Sequence, residues 1–521
     1  DLLKAIPGVV VLHDFYLSSV VAHMDLNGFA PGLLAQELYF SHGYKGPYDR
    51  FHTKDLEDVV WNYPCSLSVI QNSLGLIVHS THALRLSRQW YGGDVADWAV
   101  IPLMRDSRIH MERAEARKAL GLGADDFLVC AFGMLGPTKL NHRLLNAWLE
   151  SDLERDSSCH LVFVGENHGH DYGYELLNRI HKGKAKGNIR ITGWADRKVF
   201  QQYLAAADVA VQLRTLSRGE TSAAVLDCMN YGLPTIVNAN GSMADLDEET
   251  VWKLPDEFTD DQLTDALETL WRDSALRWQM GKAAREIIVE QHDPRKCADL
   301  YSQAIERFYD AGAEGLPALP YAIAGIPGHS AKDTDLLPLA DAIALNFPPR
   351  NRRCQLLIDI SVLVQLDAGT GIQRVVRNIL KEWLQNPPEG YRVEPVYAAV
   401  DQPYRYARGF SAKFLGFPEN VLRDEPIDYA SGDIFIGLDL QPQVAPAQRA
   451  FYQALRRQGV RVKFVVYDLL CVLMPQYFVP GVADKFIPWL EVVAESDGAV
   501  CISQSVASDL GSWVCKNAPV R

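Results

Sequence analysis

The densest chemistry in the sequence lies between Arg218 and Val237, which read Arg-Gly-Glu-Thr-Ser-Ala-Ala-Val-Leu-Asp-Cys-Met-Asn-Tyr-Gly-Leu-Pro-Thr-Ile-Val. The pattern is loop, helix, turn and strand. Thr221 or Ser222 can cap the helix, Gly232 can end it, and Pro234 blocks its continuation. A helix capped in this way turns its first N–H groups and the positive end of its dipole toward an anion such as phosphate. Glu220 and Asp227 are seven residues apart, about two helical turns, so both carboxylates are expected on one face. They would not hold the phosphate, but they suit the hydroxyls of a ribose and a sugar. Upstream, Phe132-Gly133-Met134-Leu135-Gly136-Pro137-Thr138-Lys139 follows an apolar run. A lysine in a glycine-containing strand-to-helix loop is a point charge where phosphates dock. His13 closes the run Val9-Val10-Val11-Leu12 and can donate to developing charge. Each feature also has a plainer reading: a capped helix with its acids in solvent, a solvated loop lysine, a histidine paired with Asp14.

These side chains need elements to place them. Short apolar, β-branched runs alternate with helical patterns: residues 9–12, 76–78, 127–132, 161–164, 189–192, 209–211 and 235–237. Continuous apolar runs imply strands buried on both faces, hence parallel sheets covered by helices in a doubly wound α/β fold. Ligands in such sheets sit beyond the carboxyl ends of the strands, where His13, Gly133 and Lys139 fall. Composition shifts divide the chain into residues 1–105, 106–312, a Pro-rich linker over 313–353, and 354–521. An internal echo joins the ends. Residues 464–469 (Phe-Val-Val-Tyr-Asp-Leu) repeat the pattern of 10–15 (Val-Val-Leu-His-Asp-Phe), and 497–505 repeat that of 74–82 in the same order. Two tandem copies are expected, the first without its opening strands and the second without its latter half.

Composition removes several classes. The chain has 521 residues, 48% hydrophobic and 22% charged, which are ordinary globular values. Its net charge of -14 offers no basic face for nucleic acid, although a pocket can be locally positive. No apolar run reaches the length of a membrane span, and no signal peptide is visible. The chain begins with Asp1 rather than Met. The 9 cysteines are scattered and never form Cys-x-x-Cys, which suggests free thiols in a reducing, cytoplasmic compartment. Asp245-Leu246-Asp247 has the form of a metal-binding Asp-x-Asp but lies in an acidic run expected to be a solvated loop. His168-Gly169-His170 lacks a third ligand nearby, so no metal is expected.

The 218–237 segment resembles the signature of retaining nucleotide-sugar glycosyltransferases of family 4, which have the GT-B fold of two Rossmann-like lobes. There a Glu, seven intervening residues, a second Glu and a small-residue helix ending in Gly-x-Pro precede a strand. Here the second acid is Asp227, with six residues between. The 132–139 loop resembles the family's glycine loop, with Met134 in place of an arginine. The resemblance implies a nucleotide-sugar donor held at Gly133, Lys139, Thr221 and Ser222. Arg218 would supply the charge missing at Met134. Asp227 would hold the ribose, Glu220 the sugar, and Thr192, in Thr192-Gly193-Trp194, would lie near the base. His13 would contact the transferred sugar, so His13 and Glu220 are the catalytic candidates. Ser80 and Arg85 are further cleft candidates. The chain is also similar to bacterial O-antigen and polysaccharide mannosyltransferases with tandem modules. Gly369, Gly371, Arg374 and Asp468 would line the cleft of the partial second GT-B module. The implied activity is transfer of a hexose, mannose from GDP-mannose, to a growing glycan or lipid-linked glycan. No metal or other cofactor is expected, and the enzyme would sit in the cytoplasm, at the inner face of the membrane. The rival classes are a GT-B sugar-nucleotide epimerase and a non-catalytic glycan-binding scaffold.

Overall fold

The computed structural model describes residues 2–93, 96–107, 111–182, 188–313, 319–328, 332–346 and 353–517. The apolar runs fold into parallel sheets, as their continuity requires. The first sheet has the order β1-β2-β3, with β1 at Val9–Val11, β2 at Gly75–Val78 and β3 at Trp98–Val100. The second uses β4 (Phe127–Phe132), β5 (Cys159–Val164), β6 (Ile189–Ile191), β7 (Val209–Gln212), β8 (Thr235–Asn238) and β9 (Trp252–Leu254). Its order is β6-β5-β4-β7-β8-β9, all parallel. This is the doubly wound arrangement whose order reverses between β4 and β7, opening a crevice at their carboxyl ends. The third sheet follows the same plan with β10 (Cys354–Asp359), β11 (Tyr391–Tyr397), β12 (Arg405–Tyr406), β13 (Ile434–Gly437), β14 (Arg461–Val466) and β15 (Gly498–Cys501). Its order is β12-β11-β10-β13-β14-β15, and only β12 is antiparallel.

The chain divides into two compact units. One comprises Asp1–Tyr16, Asn72–Trp90 and Ala96–Ala311; the other comprises Leu17–Gln71, Tyr91–Val95 and Gly312–Arg521. Residues 1–105, expected as one lobe, are therefore shared between the units. The reason lies in the helix Leu33–His42. Its Tyr39, together with Tyr44, is buried in the same core as Leu356, Ile358 and Val393 of the third sheet. The Tyr39 hydroxyl donates to Glu394 at 2.7 Å and accepts from Arg408 Nε at 2.8 Å, so its polar end is satisfied inside that core. The expected linker over 313–353 contains the helices Leu319–Ala324 and Asp333–Asn346 among its described residues, more local structure than its prolines suggested. Pro320 lies in the first turn of the former, where a missing N–H breaks no helical bond.

In the first unit the helix Pro294–Ala313 returns to the small sheet. Phe308 is fully buried with Ile77 and Ile101. A Cβ on Gly75 would lie 2.3 Å from the Phe308 ring, so only glycine admits this packing. In the second sheet the loops after β4 and β5 touch. A Cβ on Gly165 would lie 2.1 Å from the Gly133 carbonyl oxygen, a backbone atom that cannot move aside cheaply.

The internal echo reappears as strand register. Val9, Val10 and Val11 pair with Gly75, Leu76 and Ile77, while Lys463, Phe464 and Val465 pair with Gly498, Ala499 and Val500. Aligning the echoed residues maps each of these pairs onto its counterpart, so the repeat is one of pairing and not of composition alone.

Gly165→Ala should lower the stability of the first unit by about 2 kcal/mol through overpacking against the Gly133 carbonyl. Gly169→Ala should be near neutral, since nothing lies within 4 Å of its added Cβ. Urea unfolding followed by tryptophan fluorescence compares the two.

Candidate functional site

The site is built on loops at the carboxyl ends of β4, β7 and β8, at the reversal point of the second sheet. Lys139 ends a 3-10 turn, Pro137–Lys139, that leaves β4 through Gly133, whose φ of 105° suits glycine alone. The Thr215 N–H donates to the Thr138 carbonyl at 3.0 Å, which ties this turn to the loop after β7. That loop brings Arg214 toward Lys139. Burial, and then the Arg214 charge, push the Lys139 ammonium down to about 8. Among the described residues no carboxylate pairs with Lys139. Two half-buried cations close enough for one to lower the pKa of the other, with carboxylate for only one, make a site that attracts an anion.

Arg214 was not apparent in the sequence. Its guanidinium, only 13% exposed, forms an ion pair with the Glu220 carboxylate. Its main chain is clamped by Asn238 at the end of β8. Asn238 Oδ1 accepts from the Arg214 N–H, and Nδ2 donates to the Arg214 carbonyl, each at 2.8 Å. Asn238 is fully buried and also donates to Asp256 at 3.1 Å, which fixes its amide orientation.

Glu220 is held from several sides. The Arg218 N–H donates to Oε2 at 2.6 Å, Ser217 Oγ donates to the same oxygen at 3.3 Å, and Ser242 Oγ donates to the Glu220 carbonyl at 3.0 Å. Gly241 makes this possible, because its Cβ would lie 2.2 Å from Ser217 Oγ. The chain around Asn240-Gly241-Ser242 thus closes on the Glu220 loop.

Ser222 caps the helix Ala223–Asn230, its Oγ accepting from the Val225 N–H at 3.5 Å. Gly232 follows the helix with a φ of 64°. Glu220 therefore precedes the helix, and the expectation that it shares a helical face with Asp227 is corrected. The cap starts the helix at Ala223, and the loop before it turns the Glu220 carboxylate back to Arg214. Thr221 Oγ1 is shielded from solvent without a hydrogen-bond partner. Asp227, on the helix, pairs with Arg105 Nε at 2.9 Å, and Arg105 also reaches the Ala223 carbonyl at 3.1 Å. Burial raises the Asp227 carboxyl above its ordinary range, with Arg105 opposing. Arg218 is half-buried; burial lowers its pKa, while Asp14 and Tyr16 favour its charge. Its carbonyl accepts from the Phe15 and Tyr16 N–H groups at 2.8 and 3.1 Å, docking the loop after β1. Gly219 must be glycine there, with a φ of 92° and a Cβ position 2.4 Å from that of Phe15.

His13 is exposed at the end of β1 and meets His79, at the end of β2, through Nδ1 and Nε2 at 3.2 Å. This replaces the plainer expectation of a pair with Asp14. His79 Nδ1 lies 2.9 Å from the Ile101 carbonyl, which fixes the ring. Burial lowers the His79 pKa. Thr192 serves the loops: its hydroxyl accepts from the Gly165 N–H at 3.0 Å and donates to the Gly193 carbonyl at 2.8 Å. The acids of the run 245–249 are all exposed, as expected of a solvated loop. Asp245 accepts from Thr81 at 2.8 Å and pairs with Arg85 at 2.8 Å, while Asp247 accepts from the Glu249 N–H at 3.0 Å within the loop. His168 packs edge-on against Tyr172, with ring centroids 5.8 Å apart.

Residues 112–287, which carry Lys139, Arg214, Glu220 and Asp227, match the family described as glycosyl transferases group 1. These residues form a group 1 glycosyl transferase domain. The chain is 39% identical over 186 residues to the serotype-specific mannosyltransferase WbdA of Escherichia coli, and 38% identical over 187 residues to a second WbdA. The first match covers 36% of this chain and 22% of the relative, so the chain spans under a quarter of that relative's length. Among solved structures, Anabaena HepE in complex with UDP-glucose has a TM-score of 0.43 at 18% identity, covering 58% of this chain and 72% of that one. WaaG, a glycosyltransferase involved in lipopolysaccharide biosynthesis, has a TM-score of 0.40 at 16% identity, covering 56% and 75%. The fold rests on strand order rather than on these likenesses.

The glycosyl transferase domain belongs wholly to the first unit, and the second unit holds the remaining candidates. Gly369, with a φ of 65°, precedes the helix Gly371–Gln385, which Thr370 and Gln373 close with reciprocal capping bonds. Arg374 is exposed on its first turn. Asp468 is exposed and accepts from the Leu470 N–H at 3.0 Å. Among the described residues, no helix is long and apolar enough to cross a membrane.

Lys139 has a folded pKa below its unfolded value, so its charge costs stability below pH 8, and that cost fades as pH rises toward the ordinary lysine range. Lys139→Met should therefore raise the thermal midpoint at pH 7 and leave it nearly unchanged near pH 10. Asn238→Ala should cost about 2 kcal/mol, because the half-buried Arg214 main chain loses both side-chain partners. Thermal scans at the two pH values check the first expectation, and chemical unfolding checks the second.

Proposed function

We propose that this chain is a retaining hexosyltransferase that moves mannose from GDP-mannose to a growing glycan in O-antigen or polysaccharide synthesis. The observation that carries this reading is the Lys139–Arg214 cation pair beside Glu220, in the reversal crevice of a doubly wound sheet. Mannose as the transferred hexose is supported by the WbdA relatives, whose printed name is serotype-specific mannosyltransferase. The donor's diphosphate lies over the two cations and the Thr221-Ser222 end of the helix. Asp227 takes the ribose once Arg105 yields, and Glu220 takes a sugar hydroxyl. Departure of the nucleoside diphosphate concentrates negative charge on its phosphates, so fixed cations and helix N–H groups stabilise the transition state more than the ground state. His13, steadied by His79, faces the sugar. No nucleophile is assigned. The acceptor is a glycan, free or lipid-linked, with the enzyme working peripherally at the inner membrane face.

The test is calorimetric titration of the full chain with GDP-mannose, UDP-glucose, ADP-glucose and dTDP-glucose, followed by product analysis with and without a mannan acceptor. GDP-mannose should bind tightest, and mannose should reach the acceptor with its anomeric configuration kept. Release of an altered nucleotide sugar without acceptor would establish an epimerase instead. Absence of binding by every donor would reduce the chain to a scaffold.

A further inference from the structure

We propose that the Arg214–Glu220 ion pair is a latch opened by the donor's diphosphate. The diphosphate takes the guanidinium, and the freed Glu220 carboxylate takes the sugar. This rests on the functional reading above and adds a residue and an order of events to it.

Three features of the site lead here. First, both residues are fixed at the main chain and neither is fixed there by the pair itself. The Arg214 main chain is locked by Asn238 and the Glu220 main chain by Ser242, but the guanidinium and carboxylate meet at the ends of rotatable side chains. Second, Arg214 is shared between unequal neighbours. Lys139 repels it, and the Asp14 field favours its charge. A dianionic pyrophosphate placed between Lys139 and Arg214 would turn that repulsion into two charge-assisted contacts, with the guanidinium fork matched to two phosphate oxygens. Third, Glu220 keeps other donors when Arg214 leaves. The Arg218 N–H at 2.6 Å and Ser217 Oγ at 3.3 Å remain on Oε2, so Oε1, which holds Arg214, is the oxygen released. The carboxylate is thus not stranded without partners, which would otherwise be costly.

Arg214 also answers a question posed by the sequence. The glycine loop has Met134, 63% exposed, where a cation was expected, and Arg218 was the expected substitute. Arg214 instead stands next to Lys139, while the Arg218 carbonyl anchors the loop carrying Phe15 and Tyr16. The latch makes sugar contact conditional on diphosphate contact: a free hexose meets a Glu220 already occupied. Differential affinity of the ligand for the open arrangement drives the exchange.

The experiment titrates the full chain and its variants with GDP, GMP and inorganic pyrophosphate by calorimetry, and measures transfer from GDP-mannose separately. Arg214→Gln should weaken GDP and pyrophosphate at least tenfold and change GMP less than threefold. Glu220→Gln removes the competitor for Arg214, so GDP should bind threefold or more tighter while transfer falls at least a hundredfold. A purely structural ion pair would give weaker GDP binding in both variants. Arg214→Lys, which keeps the charge, should restore most GDP affinity and serves if the glutamine variant does not fold. If the wild-type chain binds GDP but Arg214→Gln binds it equally well, or Glu220→Gln binds it no tighter, the latch is overturned and the transferase reading stands. If neither GDP nor inorganic pyrophosphate binds the wild-type chain, both fall together.

Discussion

Positive charge held away from water, and not fully balanced, is the condition on which the first unit is organised. Asp14 favours the charges of Arg214 and Arg218, and Glu220 pairs with Arg214, while Lys139 has only the repulsion of Arg214, in a protein whose overall charge is strongly negative. Bringing them together costs solvation, which is why burial is the first cause of the lowered pKa of all three. Such an arrangement persists only if the surrounding backbone over-determines it. The Asn238 clamp, the Thr138–Thr215 bond and the Gly241 approach supply that rigidity. Backbone strain collects at the same place. Leu140 and Leu216, neither of them glycine, hold φ values of 50° and 54° directly beyond the two cations. An anion arriving from solution relieves the electrostatic part of this cost, so folding stability and affinity are set against each other at one lysine.

The frame of this site could be read from residue order because its causes are local. Continuous apolar runs point to strands of a helix-covered parallel sheet, and a Thr or Ser before a small-residue helix points to its cap. Lys139 was legible for the same reason: its loop begins and ends within eight residues. What escaped depends on distant partners. Arg214 is one charge in Gln212-Leu213-Arg214-Thr215, and nothing nearby announces that Asn238, in another strand, will fix its main chain. His79 acquires meaning only from His13, 66 residues away. Glu220 escapes the spacing of seven, which equals two helical turns only if both acids are helical, because the helix starts at Ala223. Three-residue strands such as β3 and β9 are too short for periodicity to declare. The helices between Leu17 and Gln71 show the general limit: an apolar face says that a helix must be covered but not which sheet will cover it.

The repeat separates frame from chemistry still more clearly. The β1–β2 and β14–β15 pairs share register residue for residue, so the backbone rule has been kept. The side chains at the carboxyl edge have not. The position of His13 is filled by Tyr467, which is buried and donates its hydroxyl to the Leu438 carbonyl at 2.9 Å. The position of His79 is filled by Ile502, 61% exposed. An imidazole pair able to donate at a sugar has become one satisfied phenol and one aliphatic side chain. Asp14 and Asp468 match in place but not in task, since the first acts on Arg214 and Arg218 while the second caps the turn at Leu470. Pairing register depends on the alternation of a whole strand and resists single changes, because a slip of one residue would turn every side chain over. The residue just past the strand's end bears no such burden. Two edges can therefore keep one strand register while diverging in the side chains they carry.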